Sequence, residues 1–127
     1  MKIIHQTYVI KAPIKEVWNA LVNPKDIEGW SGTKATMDAR IGTKFTLWET
    51  SIHGTNLEVI PFKRLKQEWY ADYDTPSFVT FILSEKEGVT TVELIHEQVP
   101  ADKFKDIKEG WKEYYMKPLK QYVETKK

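Results

Sequence analysis

The side chains able to do chemistry are few and widely spaced. The histidines are His5, His53 and His96, each in a different segment. No two stand at the spacing that sets a pair of ligands on one helical turn, and no zinc-protease or EF-hand pattern occurs. No metal site is expected, and no cofactor. Cysteine is absent, which excludes thiolate nucleophiles, disulfides and cysteine-ligated metals. Ser31, Ser51, Ser77 and Ser84 occupy no Gly-x-Ser-x-Gly context, so none has the strained elbow that presents a nucleophile. Gly29 and Gly32 are isolated glycines, not a phosphate loop. Glu49, Glu58 and Glu68 could pair for proton transfer, although their strand-like surroundings read as solvated. Glu49 is the one carboxylate worth testing. With no catalytic motif, the chain reads as a non-enzyme.

The aromatic inventory is the stronger signal: five tryptophans, six tyrosines and five phenylalanines. Rings bury a large area each, so they can simply fill a core. They can equally line an apolar pocket in which a tyrosine hydroxyl at 114 or 115 orients a ligand. A filled core and a lined cavity use the same residues, so both readings stand at this point.

The elements that must position these rings follow from periodicity. In residues 102–125, Phe104, Ile107, Trp111, Tyr114, Tyr115, Leu119 and Tyr122 recur at helical spacing and share one side. The lysines at 103, 105, 108, 112 and 120 fall largely on the other. Such a helix is about 33 Å long, enough to cover a broad surface. Gly110 costs it about 1 kcal/mol and an interior Pro118 about 3, which predicts a kink near Tyr114 and a close approach at Gly110.

Upstream, residues 3–10 read as a strand. Pro13 opens a helix with the stripe Ile14, Val17, Trp18, Leu21 and Val22; Asn23 caps a second, closed by Trp30-Ser31-Gly32. Six further strands are predicted at 34–39 (a weak one), 44–50, 52–60, 64–71, 78–84 and 89–99. Breaks fall at His53-Gly54, Pro61, Asp74-Thr75-Pro76 and Lys86-Glu87-Gly88. Alternation places Thr90, Val92, Leu94 and His96 on one face, and Leu65, Gln67, Trp69 and Ala71 on one face. In 44–50 the inner face is either Phe45, Leu47 and Glu49 or Thr46, Trp48 and Thr50; the Phe45 face is the expected one. Short connections make neighbours antiparallel. The fold class is α+β: a curved antiparallel sheet of six to seven strands around a long C-terminal helix.

At 127 residues the chain is expected to be one domain, residues 1–127. A net charge of +1 gives no reason to expect nucleic acid or an anionic membrane as partner. No apolar run reaches spanning length, and the N-terminus lacks a signal-peptide pattern. A cytoplasmic monomer is expected.

Several short segments occur in a telling order. They are Ala12-Pro13-Ile14-Lys15-Glu16-Val17-Trp18, Trp30, Asp38-Ala39-Arg40-Ile41-Gly42-Thr43-Lys44-Phe45, then Gly54, Pro61 and Trp69. Gly110-Trp111-Lys112-Glu113-Tyr114-Tyr115 and Leu119-Lys120-Gln121 complete the series. Over nearly the whole chain this resembles the activator of heat-shock protein 90 ATPase homologue family, the Aha-type C-terminal domain, within the SRPBCC (START-like) superfamily. One departure is Ile41-Gly42-Thr43, where the family has Arg-x-Gly-Gly. The resemblance implies a helix-grip fold with an apolar cavity between sheet and helix, and binding of lipids or other hydrophobic small molecules, with a stress-related role. It also implies a co-chaperone alternative, binding of a heat-shock protein 90-type chaperone. The eukaryotic co-chaperones pair this domain with a separate N-terminal one not found in these residues, so that reading ranks second. A cyclase or hydrolase using the same cavity ranks third. Ring density at inward positions selects Trp18, Trp30, Phe45, Trp69, Phe81, His96, Trp111 and Tyr115 as the expected cavity lining, with Tyr115 or His96 supplying a hydrogen bond.

Overall fold

The computed structural model describes residues 1–49, 51–71 and 75–125. Thr50 and Asp74, named above in a strand and a turn, lie outside them. Six strands form one antiparallel sheet in the order β1-β6-β5-β4-β3-β2. They are β1 (Lys2–Ile10), β2 (Lys44–Leu47), β3 (Ile52–Ile60), β4 (Arg64–Tyr70), β5 (Ser77–Lys86) and β6 (Val89–Val99). The strands from β2 to β6 follow one another as a meander, and β1 closes beside β6. Helices α1 (Ile14–Val22) and α2 (Pro24–Ser31) fill the connection from β1 to β2. After a 3-10 turn, the chain ends in α3 (Phe104–Gly110), a π-helical segment (Trp111–Met116) and α4 (Lys117–Thr125).

Local chemistry explains the helix boundaries. Pro13 is the N-cap of α1, and the first free amide, Ile14 N–H, donates to the Glu85 carboxylate at 3.2 Å. Asn23 caps α2 by accepting from Lys25 N–H at 2.9 Å, and Gly32 ends it with a left-handed φ of 77°. The Trp30 indole donates to the Ala20 carbonyl at 2.8 Å, which locks the two helices together. Gly29 lets α4 dock: a Cβ there would stand 2.6 Å from the Tyr122 ring, whose hydroxyl donates to Asp26 at 2.7 Å.

The inward faces of β4 and β6 are those alternation assigns: Leu65, Gln67 and Trp69, and Thr90, Val92, Leu94 and His96, are buried. Phe45 and Leu47 point inward from β2 as expected. Four expectations are corrected. Residues 34–39 form no strand, only a single bridge between Thr36 and Thr46. Backbone bonds tie Thr36 to Thr46 and Lys34 to Glu49, and a buried amide ladder holds the far end at Asp38. Trp69 donates to Gln67 at 2.8 Å, Gln67 to Asn56 at 2.9 Å, and Asn56 to the Asp38 carbonyl at 2.8 Å. Gly54 is not a break but the middle of β3, paired with Phe45 on one side and Trp69 on the other.

The third correction is at the end of β2. The strand stops at Leu47 because Trp48 and Glu49 adopt left-handed φ values of 48° and 65°. Glu49 is therefore exposed on a turn and not inside with Phe45. Two consecutive left-handed residues without glycine store backbone strain. Glu49→Gly is expected to raise stability by about 0.5–1 kcal/mol, measured as the thermal midpoint. A loss of stability would contradict the left-handed turn.

The fourth concerns the long helix. It is not one continuous α-helix but widens into the π segment, where the Lys117 amide donates to the Lys112 carbonyl five residues back. Pro118, which has no amide to give and crowds the carbonyl of Tyr114, follows at once. The wider turn also brings two adjacent residues, Tyr115 and Met116, into the core together. Single π turns recur at functional sites.

Candidate functional site

A cleft of about 570 Å³ opens between the sheet and the C-terminal helix. Trp69 and His96 form its floor from β4 and β6, and Ile107, Gly110, Trp111, Tyr114 and Tyr115 come from the helix. Trp48, Ser51 and Ile52 close one end from the β2–β3 turn, with Ala71 beyond β4. Gly110 does not bring the helix close to the sheet: a Cβ there would meet nothing nearer than a Tyr114 ring carbon at 4.0 Å. It borders the cleft and leaves room in it.

Tyr115 is the hub of the ring cluster. Its centroid lies 4.7 Å from Trp30 and Trp111, 5.8 Å from Phe81, 6.0 Å from Trp48 and 6.2 Å from Trp69. These are the offset and edge-on separations that favour aromatic pairs. Trp48 is there because of the strained turn. Alternation after Leu47 would send it outward, and the left-handed backbone returns it to Trp30 and Tyr115.

The polar groups divide sharply. Trp111 Nε1–H donates to His96 Nδ1 at 2.9 Å, and His96 Nε2 stands 2.8 Å from Ser77 Oγ. An indole nitrogen can only donate, so Nδ1 must accept and Nε2 carries the proton, donating to Ser77. Burial pushes the His96 pKa down to about 4, which keeps the ring neutral. Ser77 and His96 have the separation of a hydrolase pair but the wrong tautomer, since the nitrogen facing the hydroxyl already holds a proton. The Tyr115 hydroxyl is the opposite case. It is buried and has no hydrogen-bond partner among the described residues. Burial raises its pKa, so it keeps its proton. A buried hydroxyl left unpaired costs roughly 1–3 kcal/mol.

Of the eight expected lining residues, Trp69, His96, Trp111 and Tyr115 meet at the cleft. Trp18, Trp30, Phe45 and Phe81 are buried in the core and do not line it. Trp18 packs on Phe62 at 6.1 Å, Phe45 on Trp69 at 6.3 Å, and Phe81 on Trp111 at 5.8 Å. Trp30 backs Tyr115 and Trp48. His96, offered as a ligand hydrogen-bond group, has both nitrogens engaged within the protein. Tyr114, offered with Tyr115 as a pocket hydroxyl, also lines the cleft, whereas sequence reasoning missed Trp48, Ser51, Ile52, Ala71, Ile107 and Gly110. Ile107 and Tyr114 were visible on the inner stripe of the helix; Trp48 carried no signal of its reversal. Glu49, the one carboxylate singled out, is not among the described lining residues. Among the described residues no cluster of three or more metal-ligating side chains occurs, and no helix is long and apolar enough to cross a membrane.

A family model described as activator of Hsp90 ATPase homolog 1-like protein matches residues 11–124. The activator of 90 kDa heat shock protein ATPase homolog of Dictyostelium discoideum is 26% identical over 110 residues, 83% of this chain and 28% of that protein. The chain spans only 28–36% of the length of the curated relatives it matches. Among solved structures, PFC0360w of Plasmodium falciparum, described as an HSP90 activator, superposes with a TM-score of 0.85 at 24% identity, covering 92% of each chain. CalU16 of Micromonospora echinospora gives a TM-score of 0.80 at 29% identity, covering 97% of this chain and 75% of that one.

Proposed function

This chain belongs to the activator of Hsp90 ATPase homolog 1-like family, and on that premise we propose that it is a binding module for an apolar or aromatic small molecule, not an enzyme. The observation that carries the reading is the cleft itself, about 570 Å³ walled by Trp48, Trp69, Trp111 and Tyr115. That volume lies in the range of small-molecule sites, and the wall is apolar with few polar groups, as such sites require. The reversed tautomer of His96 beside Ser77 supports a non-catalytic role. We expect the module to act as a monomer in the cytoplasm.

Native mass spectrometry of the gently purified protein tests this. The expected result is an extra mass that vanishes on denaturation and is absent in Trp111→Ala. Because Trp111 is a core ring, Gly110→Leu is the companion variant: it fills the cleft while removing no ring, and should lose the mass too. Retention in both variants would place the ligand elsewhere. A clean mass, together with no binding of the neutral dye Nile red, would sink the reading. A second reading, contact with a heat-shock protein 90-type chaperone, draws on what the Plasmodium and Dictyostelium relatives are described as, activators of that chaperone or its ATPase. It is tested by titrating this chain into the chaperone and following ATP hydrolysis.

A further inference from the structure

We propose that the cleft selects uncharged planar molecules that carry a hydrogen-bond acceptor, and that the Tyr115 hydroxyl is the donor that meets it. This rests on the binding-module reading. The argument begins with which polar groups are free. The indole N–H groups of Trp30, Trp69 and Trp111 are spent on Ala20, Gln67 and His96. Both nitrogens of His96 are engaged. The Tyr115 hydroxyl has no partner among the described residues, and it sits on the residue around which five aromatic rings are gathered.

Charge narrows the class. No lysine or arginine is among the described lining residues, and His96 is neutral, so a buried anionic ligand would find no counter-ion among them. Because Tyr115 keeps its proton, it serves best as a donor, and the complementary group on the ligand is a carbonyl or ether oxygen. The hydroxyl has no exposed surface in this structure, so a ligand oxygen reaches it only where one of the rings around it gives way. Of the five rings around it, Trp48 is half-buried, whereas Trp30, Trp69, Phe81 and Trp111 are buried.

The test uses three matched probes in equilibrium dialysis: 2-acetylnaphthalene, its hydrocarbon isostere 2-isopropenylnaphthalene, and 2-naphthoate. Comparing each probe between the wild type and Tyr115→Phe cancels its own solvation. The ketone should bind Tyr115→Phe roughly five- to tenfold more weakly than wild type, while the hydrocarbon keeps its affinity and so reports an intact cleft. Naphthoate should bind wild type at least about tenfold more weakly than the ketone. Equal losses for ketone and hydrocarbon would overturn the role of the hydroxyl and leave the cleft reading intact. Naphthoate binding as tightly as the ketone would overturn the neutral class. No binding of any probe to wild type would overturn the cleft reading along with it. A measurement that needs no variant is the infrared carbonyl stretch of bound 2-acetylnaphthalene. It should lie below its position in cyclohexane, and an unshifted band would rule the donor out.

Discussion

Gly54→Ala is expected to destabilise the protein by roughly 3 kcal/mol or more, a fall of about 10 °C or more in Tm. The reason is contact, not conformational freedom. A Cβ on Gly54 would lie 1.7 Å from the Glu68 carbonyl oxygen and 3.1 Å from the Phe45 ring. The first neighbour is backbone and cannot turn aside, so β3 and β4 would have to part where Gly54 pairs with Trp69. The rings of Phe45 and Trp69, 6.3 Å apart, flank the position from the neighbouring strands and fill the space the missing side chain leaves. Damage there reaches the cleft directly, through Trp69 in its floor and through β2, which leads into the turn at Trp48. Urea unfolding with tryptophan emission would measure the effect. A loss below about 1 kcal/mol would mean that β3 and β4 are not in this close approach.

Acid should unfold the protein through His96. Its folded pKa is lowered to about 4 from an ordinary 6.5. Between those values the unfolded chain takes up a proton that the folded chain refuses. Stability is therefore complete above about pH 6.5 and falls as pH drops toward 4, by about 3 kcal/mol in all. The refusal has a structural cause besides burial. A protonated ring would turn a second donor at Nδ1 against the indole N–H of Trp111, 2.9 Å away. His96→Gln keeps an acceptor for Trp111 and cannot titrate. Unfolding free energies at pH 7, 6 and 5 should show a wild-type slope that exceeds the variant's by up to about 1.4 kcal/mol per pH unit. Identical slopes would mean that His96 is charged, or solvated, in the folded protein.

What the sequence discloses depends on how local the cause is. Pro13, Asn23 and Gly32 mark the ends of α1 and α2 because caps are set by one or two residues. The inner faces of β4 and β6 are legible because both strands alternate without interruption. Trp48 is not legible, since its reversal needs a positive φ at a residue type that rarely adopts one, with no glycine to announce it. The π turn leaves only Pro118 as a trace, and a proline reads as a kink. Trp18, Trp30, Phe45 and Phe81 differ from the true walls of the cleft only in where neighbouring elements end. Phe81 and Trp69 are both inward rings on central strands, and both pack on Trp111 and Tyr115 of the helix; only Trp69 also borders the cleft. Tyr115 was identifiable as a polar ring on the inner stripe. That its hydroxyl lacks a partner among the described residues depends on four other segments at once.

The pairing of β1 with β6 has a consequence for how the chain is made. Ile4, near the start, lies opposite His96, and Ile10 opposite Thr90, so the first strand synthesised waits for the last. The meander from β2 to β6 closes through short turns and can form as it emerges. β1 and the apolar stripe of α1 have no sheet to join until β6 exists. Pairing across such a separation is the slow, entropically expensive step of assembly. On the ribosome, at about 5–20 residues per second, that interval leaves the N-terminal strand exposed for several seconds or more. Of the six strands, β1 is then the one that waits longest for its partner.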